Sequence, residues 1–289
     1  MLLTTAAASL APAADEIPIL DIHQHTHYSG RPDDVLVAHQ RKMGITKTIL
    51  LPAGSKYGLA AQAGGNDTVV KVVKEHPGEY LFFANELPDI PEARPVIEKY
   101  LKMGAIGIGE QKFPVDCDSA AMQLIASIAQ EYHVPVLMHF QYKTYNLGIE
   151  NFHKMLEKYP KVNFIGHAQT FWANISKTND QSVLYPKDKV IPGGITDRLL
   201  SDYHNMFGDL SAGSGFNAFH RDPEHGREFL KRHQNKLLYG SDCSDWDGFG
   251  PKCSGANQIA QMKELSGGDR KIQRKIFWEN SVKLFRLKV

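Results

Sequence analysis

The chain has 289 residues, of which 42% are hydrophobic, and its formal net charge is +1. This length can bury one large core, and a single α/β barrel of ordinary size would use nearly all of it. The near-neutral charge, with Lys and Arg scattered along the chain, argues against a nucleic-acid-binding or membrane-binding surface. Three cysteines without CxxC spacing argue against a disulfide scaffold.

The first segment, MLLTTAAASLAPAA at residues 1–14, is apolar and rich in small residues. This composition is typical of the hydrophobic part and cleavage site of an export signal peptide, although a charged start is missing. We therefore treat residues 1–16 as a truncated signal-like or disordered arm and assign one barrel domain to residues 17–289. The leader predicts export to the periplasm; without a working leader the protein is expected to be cytoplasmic.

From residue 17 onward, short apolar runs alternate with longer amphipathic stretches. The apolar runs predict eight strands, at residues 18–23, 46–51, 80–84, 105–110, 135–139, 163–167, 205–209 and 236–240. The other stretches predict helices at residues 33–43, 67–75, 93–103, 119–132, 152–159, 195–203, 223–234, 257–265 and 269–285. Residues 176–194 lack periodicity and are predicted to form a long loop over the active face.

Eight strand–helix units in an uninterrupted chain predict an α/β fold, a single-domain (β/α)₈ TIM barrel. An open doubly wound sheet is the alternative. It would favour a Gly-rich phosphate-binding turn after an early strand, and no GxGxxG follows the first strand here.

The first predicted strand leads into the sequence IPILDIHQHTH. His23 and His25 are two residues apart, so a strand places both imidazoles on the same face. Two neutral imidazoles at a strand end make half of a tetrahedral metal site. His27 extends the spacing but lies past the strand, so we expect it to contact substrate or solvent.

Active sites of TIM barrels lie at the C-terminal ends of the strands, so the other strand ends can supply the missing ligands. Six of the predicted strands end in a metal-ligand or acid–base residue type. These residues are His23 and His25, Glu110, His139, His167, Asp209 and Asp242. Purely structural strand ends would carry a mixture of turn residues, so the pattern predicts a metal-dependent active site.

The order and spacing of these motifs resemble the amidohydrolase superfamily, metal-dependent hydrolases on a (β/α)₈ barrel. The segments DIHQHTH, PVLMHF, NFIGHAQ, LLYGSDC and ENSVKLFRL resemble its amidohydrolase 2 branch, which includes decarboxylases and lactonases. The resemblance covers residues 17–287. It implies a divalent metal cofactor, for which zinc suits the His-rich set, and leaves one or two ions open.

The resemblance also implies roles for individual residues. His23, His25 and His139 would be metal ligands. His167 would polarise the substrate carbonyl in one-metal members, or bind the second ion in two-metal members. Asp242 would be a metal ligand and the base that takes a proton from the attacking water.

The end of the fourth strand leaves the number of ions open. Glu110 and Lys112 are two residues apart and could both face inward. Glutamate would resemble the bridging ligand of the TatD-like branch, and lysine the carbamylated bridge of other hydrolases. We expect Glu110 to be a ligand, because a carboxylate binds without modification. If neither reaches the site, the imidazoles and Asp242 would hold one ion.

Substrate contacts are predicted from residues that follow the strands. Arg221 is the candidate clamp for a substrate carboxylate, and Tyr142 and Trp172 are candidate walls of the pocket. Asp209 and Ser211 either orient the site or start a turn. The Gly-Ser-rich stretch after them is expected to be a loop that brings backbone N–H groups close to an anion.

These features predict a hydrolase that attacks an ester, lactone or amide carbonyl of a small molecule, with Asp242 and His167 as catalytic residues. Non-oxidative decarboxylation of a small carboxylic acid is the alternative reaction on the same site. A catalytically silent metal-binding barrel is a further alternative, since fold alone does not fix function. The expected partner is a small-molecule substrate, with no nucleic acid and no membrane, and a homo-oligomer is left open.

Overall fold

The computed structural model describes residues 16–54 and 62–288. The predicted export leader at residues 1–14 therefore lies outside the described residues. Within the described ranges, none of the helices has the length and apolar character needed to cross a membrane.

Eight parallel strands form the barrel wall, and all eight predicted strands are confirmed. They are β1 (Leu20–Gln24), β2 (Lys47–Leu50), β3 (Tyr80–Phe82), β4 (Ile108–Gln111), β5 (Val136–His139), β6 (Phe164–His167), β7 (Met206–Asp209) and β8 (Leu237–Leu238). Regular pairing runs from β1 to β3 and from β4 to β8. A parallel bridge between Ala84 and Ile108 joins the two sets, and the Ile22 N–H donates to the Tyr239 carbonyl at 3.1 Å. The wall is thereby closed into a (β/α)₈ TIM barrel.

The helices surround the wall. They are α1 (Asp33–Lys42), α2 (Asn66–Glu75), α3 (Ala93–Lys102), α4 (Ala120–Tyr132), α5 (His153–Lys158), α6 (Gln169–Ala173), α7 (Ile195–Asp202), α8 (Ala212–His220), α9 (Pro223–His233), α10 (Ser254–Leu265), α11 (Arg270–Arg274) and α12 (Asn280–Leu284). A π-helical turn, Lys275–Glu279, separates α11 from α12, where the sequence predicts one continuous helix. Residues 176–194 contain neither helix nor strand, as predicted.

The Gly-Ser-rich stretch after β7 is a helix, α8, and the predicted loop is wrong there. The helix forms because its small residues allow close packing. A Cβ added at Gly215 would lie 2.0 Å from the Leu210 carbonyl oxygen. Ser214, Ala218 and Phe219 are buried on the same helix, so helical spacing gives it a core-facing side.

An apolar layer fills the barrel beneath the strand ends. Leu137 and Ile165 belong to this interior cluster, and the histidines two residues further on, His139 and His167, share their face of the strand. In β1 the pairing register shifts between Asp21 and Gln24, which interrupts the regular alternation. The imidazoles therefore lie directly above a dry core, at the C-terminal ends of the strands.

Close packing in this core makes one glycine sensitive to substitution. A Cβ added at Gly166 in β6 would lie 2.2 Å from the Phe171 ring. We expect Gly166→Ala to lower the free energy of unfolding by about 1–3 kcal/mol, because the ring has to leave its packed position. Gly213→Ala in α8 is the matched control, since its nearest heavy atom is 3.8 Å away. Urea denaturation measures both, and equal stability of the two variants would contradict this account of the packing.

Candidate metal centre

Six side chains from five strand ends meet above the apolar layer. They are His23 and His25 from β1, Glu110 from β4, His139 from β5, His167 from β6 and Asp242, which follows β8. The imidazoles and Glu110 are buried, and the Asp242 side chain is 12% exposed. The structure thus brings together all six residues that the sequence predicts as metal ligands.

Glu110 lies between two pairs of imidazoles. Its Oε2 atom is 3.6 Å from Nε2 of both His23 and His25. Its Oε1 atom is paired with Nδ1 of His139 and lies 3.8 Å from Nε2 of His167. One carboxylate therefore presents one oxygen to each pair, an arrangement that could bridge two ions.

Asp242 approaches the same centre from the opposite side. Its Oδ1 atom is 3.6 Å from Nε2 of His25 and 3.8 Å from Nε2 of His23. Its Oδ2 atom is 3.5 Å from Nε2 of His167. Oδ1 is buried without a hydrogen-bond partner, and an unsatisfied buried carboxylate oxygen is costly. A cation at this point would satisfy it.

A second layer of contacts fixes the orientation of the imidazoles. The Nδ1 atom of His23 lies 2.6 Å from the Asp209 carboxylate. The Ser211 hydroxyl donates to the same carboxylate at 2.9 Å and lies 2.9 Å from Nδ1 of His167. Nδ1 of His25 lies 2.7 Å from the Leu51 carbonyl oxygen, to which it can only donate. These contacts direct the Nε2 atoms of all three rings toward the centre, as ligands of a metal require.

Trp172 lies below the centre and does not form a wall of the pocket. Its ring is buried against Phe171, Phe219 and Phe229. Its indole N–H donates to the Asp209 carbonyl at 2.7 Å. The predicted substrate contact is replaced by a structural one, because the aromatic ring has the apolar partners it needs in the core.

Arg221 is also held away from the cluster. One terminal nitrogen donates to the Ala173 carbonyl at 3.2 Å, and the other lies 3.7 Å from the Asp188 carboxylate. Among the described residues, none of its polar contacts is to the six side chains. The role of Arg221 as a carboxylate clamp stays a prediction.

The other two predicted substrate contacts lie at the edge of the site. His27 is half exposed, and its Nε2 atom is 3.5 Å from the Asp33 carboxylate. It contacts no member of the cluster. Tyr142 lines a cleft of about 380 Å³ together with Gln141 and Thr170. The cleft reaches the cluster, because Oε1 of Gln141 is 3.2 Å from Nε2 of His139.

Two further residues lie near the centre: Tyr28, for which the sequence predicts no role, and Lys112, which the sequence offers only as an alternative to Glu110. The Tyr28 ring packs edge-on against His25, with centroids 4.9 Å apart, and burial together with the Asp242 charge raises the pKa of its hydroxyl. Lys112 lies over the Tyr145 ring at 5.7 Å. Burial lowers the pKa of Lys112, but the Glu110 and Asp242 carboxylates outweigh this and raise it. Only the strand-end position of Lys112 could have indicated its proximity.

The carboxylates and imidazoles shift each other's protonation. Burial opposes a charge on His23, but Asp242 and Asp209 outweigh it and raise the pKa of His23 well above its ordinary value. Burial dominates at His139 and lowers its pKa to about 4 despite Glu110. Burial would raise the pKa of Glu110, but Lys112 and His139 hold it well below its ordinary value. The centre therefore carries ionised carboxylates.

These shifts predict a pH dependence for the metal-free protein. His23 should carry a proton at pH 7, whereas His139 should stay neutral down to about pH 4. An unfolded histidine has a pKa of about 6.5, so the stabilisation from neutral His139 is lost as pH falls from about 6.5 toward 4. Imidazole ¹⁵N NMR measures both protonation states, with His139→Asn to assign its signals. Titration of His139 near pH 6.5 would contradict the prediction.

Comparisons with known proteins were made for the whole chain. A search of the curated proteins finds no match. Similar solved structures include a probable 2-pyrone-4,6-dicarboxylic acid hydrolase of Acinetobacter baumannii with citric acid bound, at 13% identity, TM-score 0.63, 93% of this chain and 99% of that one. A TIM-barrel protein of Bordetella bronchiseptica has 13% identity, TM-score 0.66 and coverages of 93% and 98%.

A third similar structure is a 5-carboxyvanillate decarboxylase of Novosphingobium aromaticivorans complexed with manganese and 4-hydroxy-3-methoxy-5-nitrobenzoic acid, with 17% identity, TM-score 0.56 and coverages of 87% and 79%. At these identities the structures show the fold alone. The sequence model described as amidohydrolase matches residues 21–287, nearly the whole of the described chain. The chain therefore belongs to the amidohydrolase family.

Proposed function

We propose that this protein is a metal-dependent hydrolase that attacks an ester, lactone or amide carbonyl of a small molecule. The observation that carries the proposal is the position of Glu110 and Asp242 between four imidazoles, with Oδ1 of Asp242 buried and unpaired. Imidazole nitrogen and carboxylate oxygen are ligands for zinc and for manganese. The donor set therefore fits a divalent ion.

The ligands divide into two groups. Around Glu110, His23 and His25 form one, and His139 and His167 form the other; a third group, His23, His167 and Asp242, overlaps both. Asp242 contacts both groups, with Oδ1 near His25 and Oδ2 near His167. A bound divalent ion would polarise a substrate carbonyl and lower the pKa of the attacking water. The shared Glu110 supports two ions over one.

The chain's own groups would move the proton. Burial alone would raise the pKa of Asp242, but His23, His167 and His25 hold it well below its ordinary value, so the carboxylate is ionised and can accept a proton from the attacking water. It then donates that proton to the leaving group. His167, whose Nδ1 atom is held at Ser211, presents Nε2 as a ligand of the second ion. In a one-ion centre the same ring, protonated at Nε2, would instead stabilise the developing charge on the carbonyl oxygen.

Asp242→Asn tests the role of the base. The amide cannot accept the proton, so we expect turnover to fall by about 10²–10⁴-fold, while the imidazoles and Glu110 keep the metal bound. Metal content and hydrolysis of a panel of esters, lactones and amides measure the two effects. Asp180→Asn, a surface change, is the control. A metal-loaded Asp242→Asn enzyme with wild-type turnover would exclude this role.

The second candidate reaction is non-oxidative decarboxylation, in which an acid delivers a proton to carbon. Tyr28 favours it, because its protonated hydroxyl lies beside His25 and Asp242. Reaction in H₂¹⁸O separates the two candidates. Incorporation of ¹⁸O into the product supports hydrolysis, and release of CO₂ without it supports the lyase.

The charge around the centre indicates a substrate carboxylate. Lys112 is a half-buried cation on the Tyr145 ring, which itself packs edge-on against His139. Its ammonium group could bind a substrate carboxylate, the role that the sequence analysis predicts for Arg221. Two of the similar structures involve acids: one is named for a pyrone dicarboxylic acid and has citric acid bound, and the other is complexed with a nitrobenzoic acid. A carboxylate paired with Lys112 would place the reacting carbon beside Asp242.

Lys112→Met tests this pairing. A charge-assisted hydrogen bond contributes about 1.5–3 kcal/mol, so we expect kcat/KM to fall at least tenfold on a carboxylate substrate. On the methyl ester of the same substrate kcat/KM should fall much less. This comparison separates loss of the pairing from a general effect on the centre. Lys143→Met, in the cleft lined by Tyr142, is the matched control. Equal losses on acid and ester would contradict the pairing.

A further inference from the structure

A second cluster of metal-ligand types lies outside the centre, between helix α1 and the segment after β8. It consists of His39 and Met43 from α1, and of Cys243 and Cys253 from the segment after β8. His39 and both cysteines are buried, and Met43 is 9% exposed. The mechanism proposed above uses none of these side chains.

The distances in this cluster match those around a tetrahedral ion. Sγ of Cys253 lies 3.6 Å from Sγ of Cys243, 3.7 Å from Nε2 of His39 and 3.5 Å from Sδ of Met43. Bonds of about 2.3 Å to sulfur and about 2.0–2.1 Å to nitrogen give tetrahedral edges of about 3.6–3.8 Å. Contacts of this length are also ordinary van der Waals contacts of sulfur, so the chemistry of the cluster carries the argument. An imidazole and two thiols have their donor atoms within 4.8 Å of one another, and a thioether contacts one of the thiols, all in one buried cluster.

The orientation of the ligands also fits. Nδ1 of His39 lies 3.1 Å from Oε1 of its neighbour Gln40, whose amide donates to Asp21. A hydrogen bond from Nδ1 to this oxygen leaves Nε2 as the ligand nitrogen. The Ala256 N–H donates to Sγ of Cys253 at 3.4 Å, which fixes this sulfur at the start of α10.

We infer that His39, Cys243, Cys253 and Met43 form a buried site for a soft d¹⁰ cation, Cu(I) or Zn(II). Two thiols and a thioether select soft ions over the harder ions that suit the carboxylate-rich centre. Binding releases the two thiol protons to solvent and forms the metal–sulfur bonds. The site has no open position, so the ion is structural.

The position of the site indicates what a bound ion would stabilise. Cys243 directly follows Asp242, and its carbonyl accepts hydrogen bonds from Gln24 at 3.0 Å and from Arg31 at 2.9 Å. An ion that ties Cys243 to α1 would fix the turn that carries Asp242 to the centre. This inference does not rest on the proposed reaction.

Cadmium binding to the reduced, metal-free protein tests the inference. The centre at the strand ends contains no sulfur, so an ultraviolet thiolate-to-cadmium charge-transfer band reports the second cluster alone. We expect Cd(II), added until the centre and the second cluster are both filled, to produce the band in the wild type with one equivalent bound at the cluster. Cys253→Ser should abolish it, and Cys117→Ser, a buried cysteine bonded to the Gly148 carbonyl, should keep it.

The control variant keeps the test decisive even if Cys253→Ser fails to fold, because loss of the band in Cys117→Ser would overturn the assignment. Met43→Leu, close in volume, should retain the band and weaken Cu(I) binding in chelator competition more than Zn(II) binding. Two further results would overturn the inference: no band in the wild type, or an unchanged band in folded Cys253→Ser.

Discussion

Two ionised carboxylates, Glu110 and Asp242, are buried among four imidazoles, and the strand-end site depends on how their charge is compensated. A buried charge costs several kcal/mol unless opposite charge and hydrogen bonds accompany it. The chain supplies part of the compensation through a protonated His23 and the Lys112 ammonium. The compensation is incomplete at Asp242, because its Oδ1 atom is buried without a hydrogen-bond partner. A divalent ion would complete it and displace the proton from His23.

Hydrogen bonds connect the imidazoles of the centre to the aromatic core of the barrel. Asp209 holds His23 directly and His167 through Ser211. Its own backbone carbonyl is fixed by the indole of Trp172, which packs among the aromatic rings of the core. Ring packing in the core is thus connected to His23 through two successive hydrogen bonds and to His167 through three. The positions of these imidazoles therefore depend on the packing of the barrel core.

The sequence predicted the strands and their ends well, because both depend on short-range patterns. The apolar run before His23 and the runs before His139 and His167 fix strand, face and end together. Helix α8 was missed because its glycines, which usually mark loops, serve here to let the helix approach Leu210. The pattern of residues could not reveal that contact.

Residues on the βα segments were harder to place. Arg221 and Trp172 follow strand ends as substrate-binding residues do, but their side chains turn to the Ala173 and Asp209 carbonyls. The second cluster was invisible for a related reason. Its ligands come from α1 and from a segment about 200 residues later, and Cys243 and Cys253 show no spacing typical of a metal site. Such clusters exist only after the first and last units of the barrel meet.

That meeting also constrains how the barrel is completed. The floor of the interior is formed by Leu284 and Phe285, and the Phe285 ring lies 5.7 Å from the Phe83 ring of the wall. A barrel that lacks these two side chains would leave its apolar interior open to water from below. Packing of Leu284 and Phe285 against the wall therefore keeps water out of the apolar layer that supports the metal centre, so a change in this helix would act on the centre from the other end of the core.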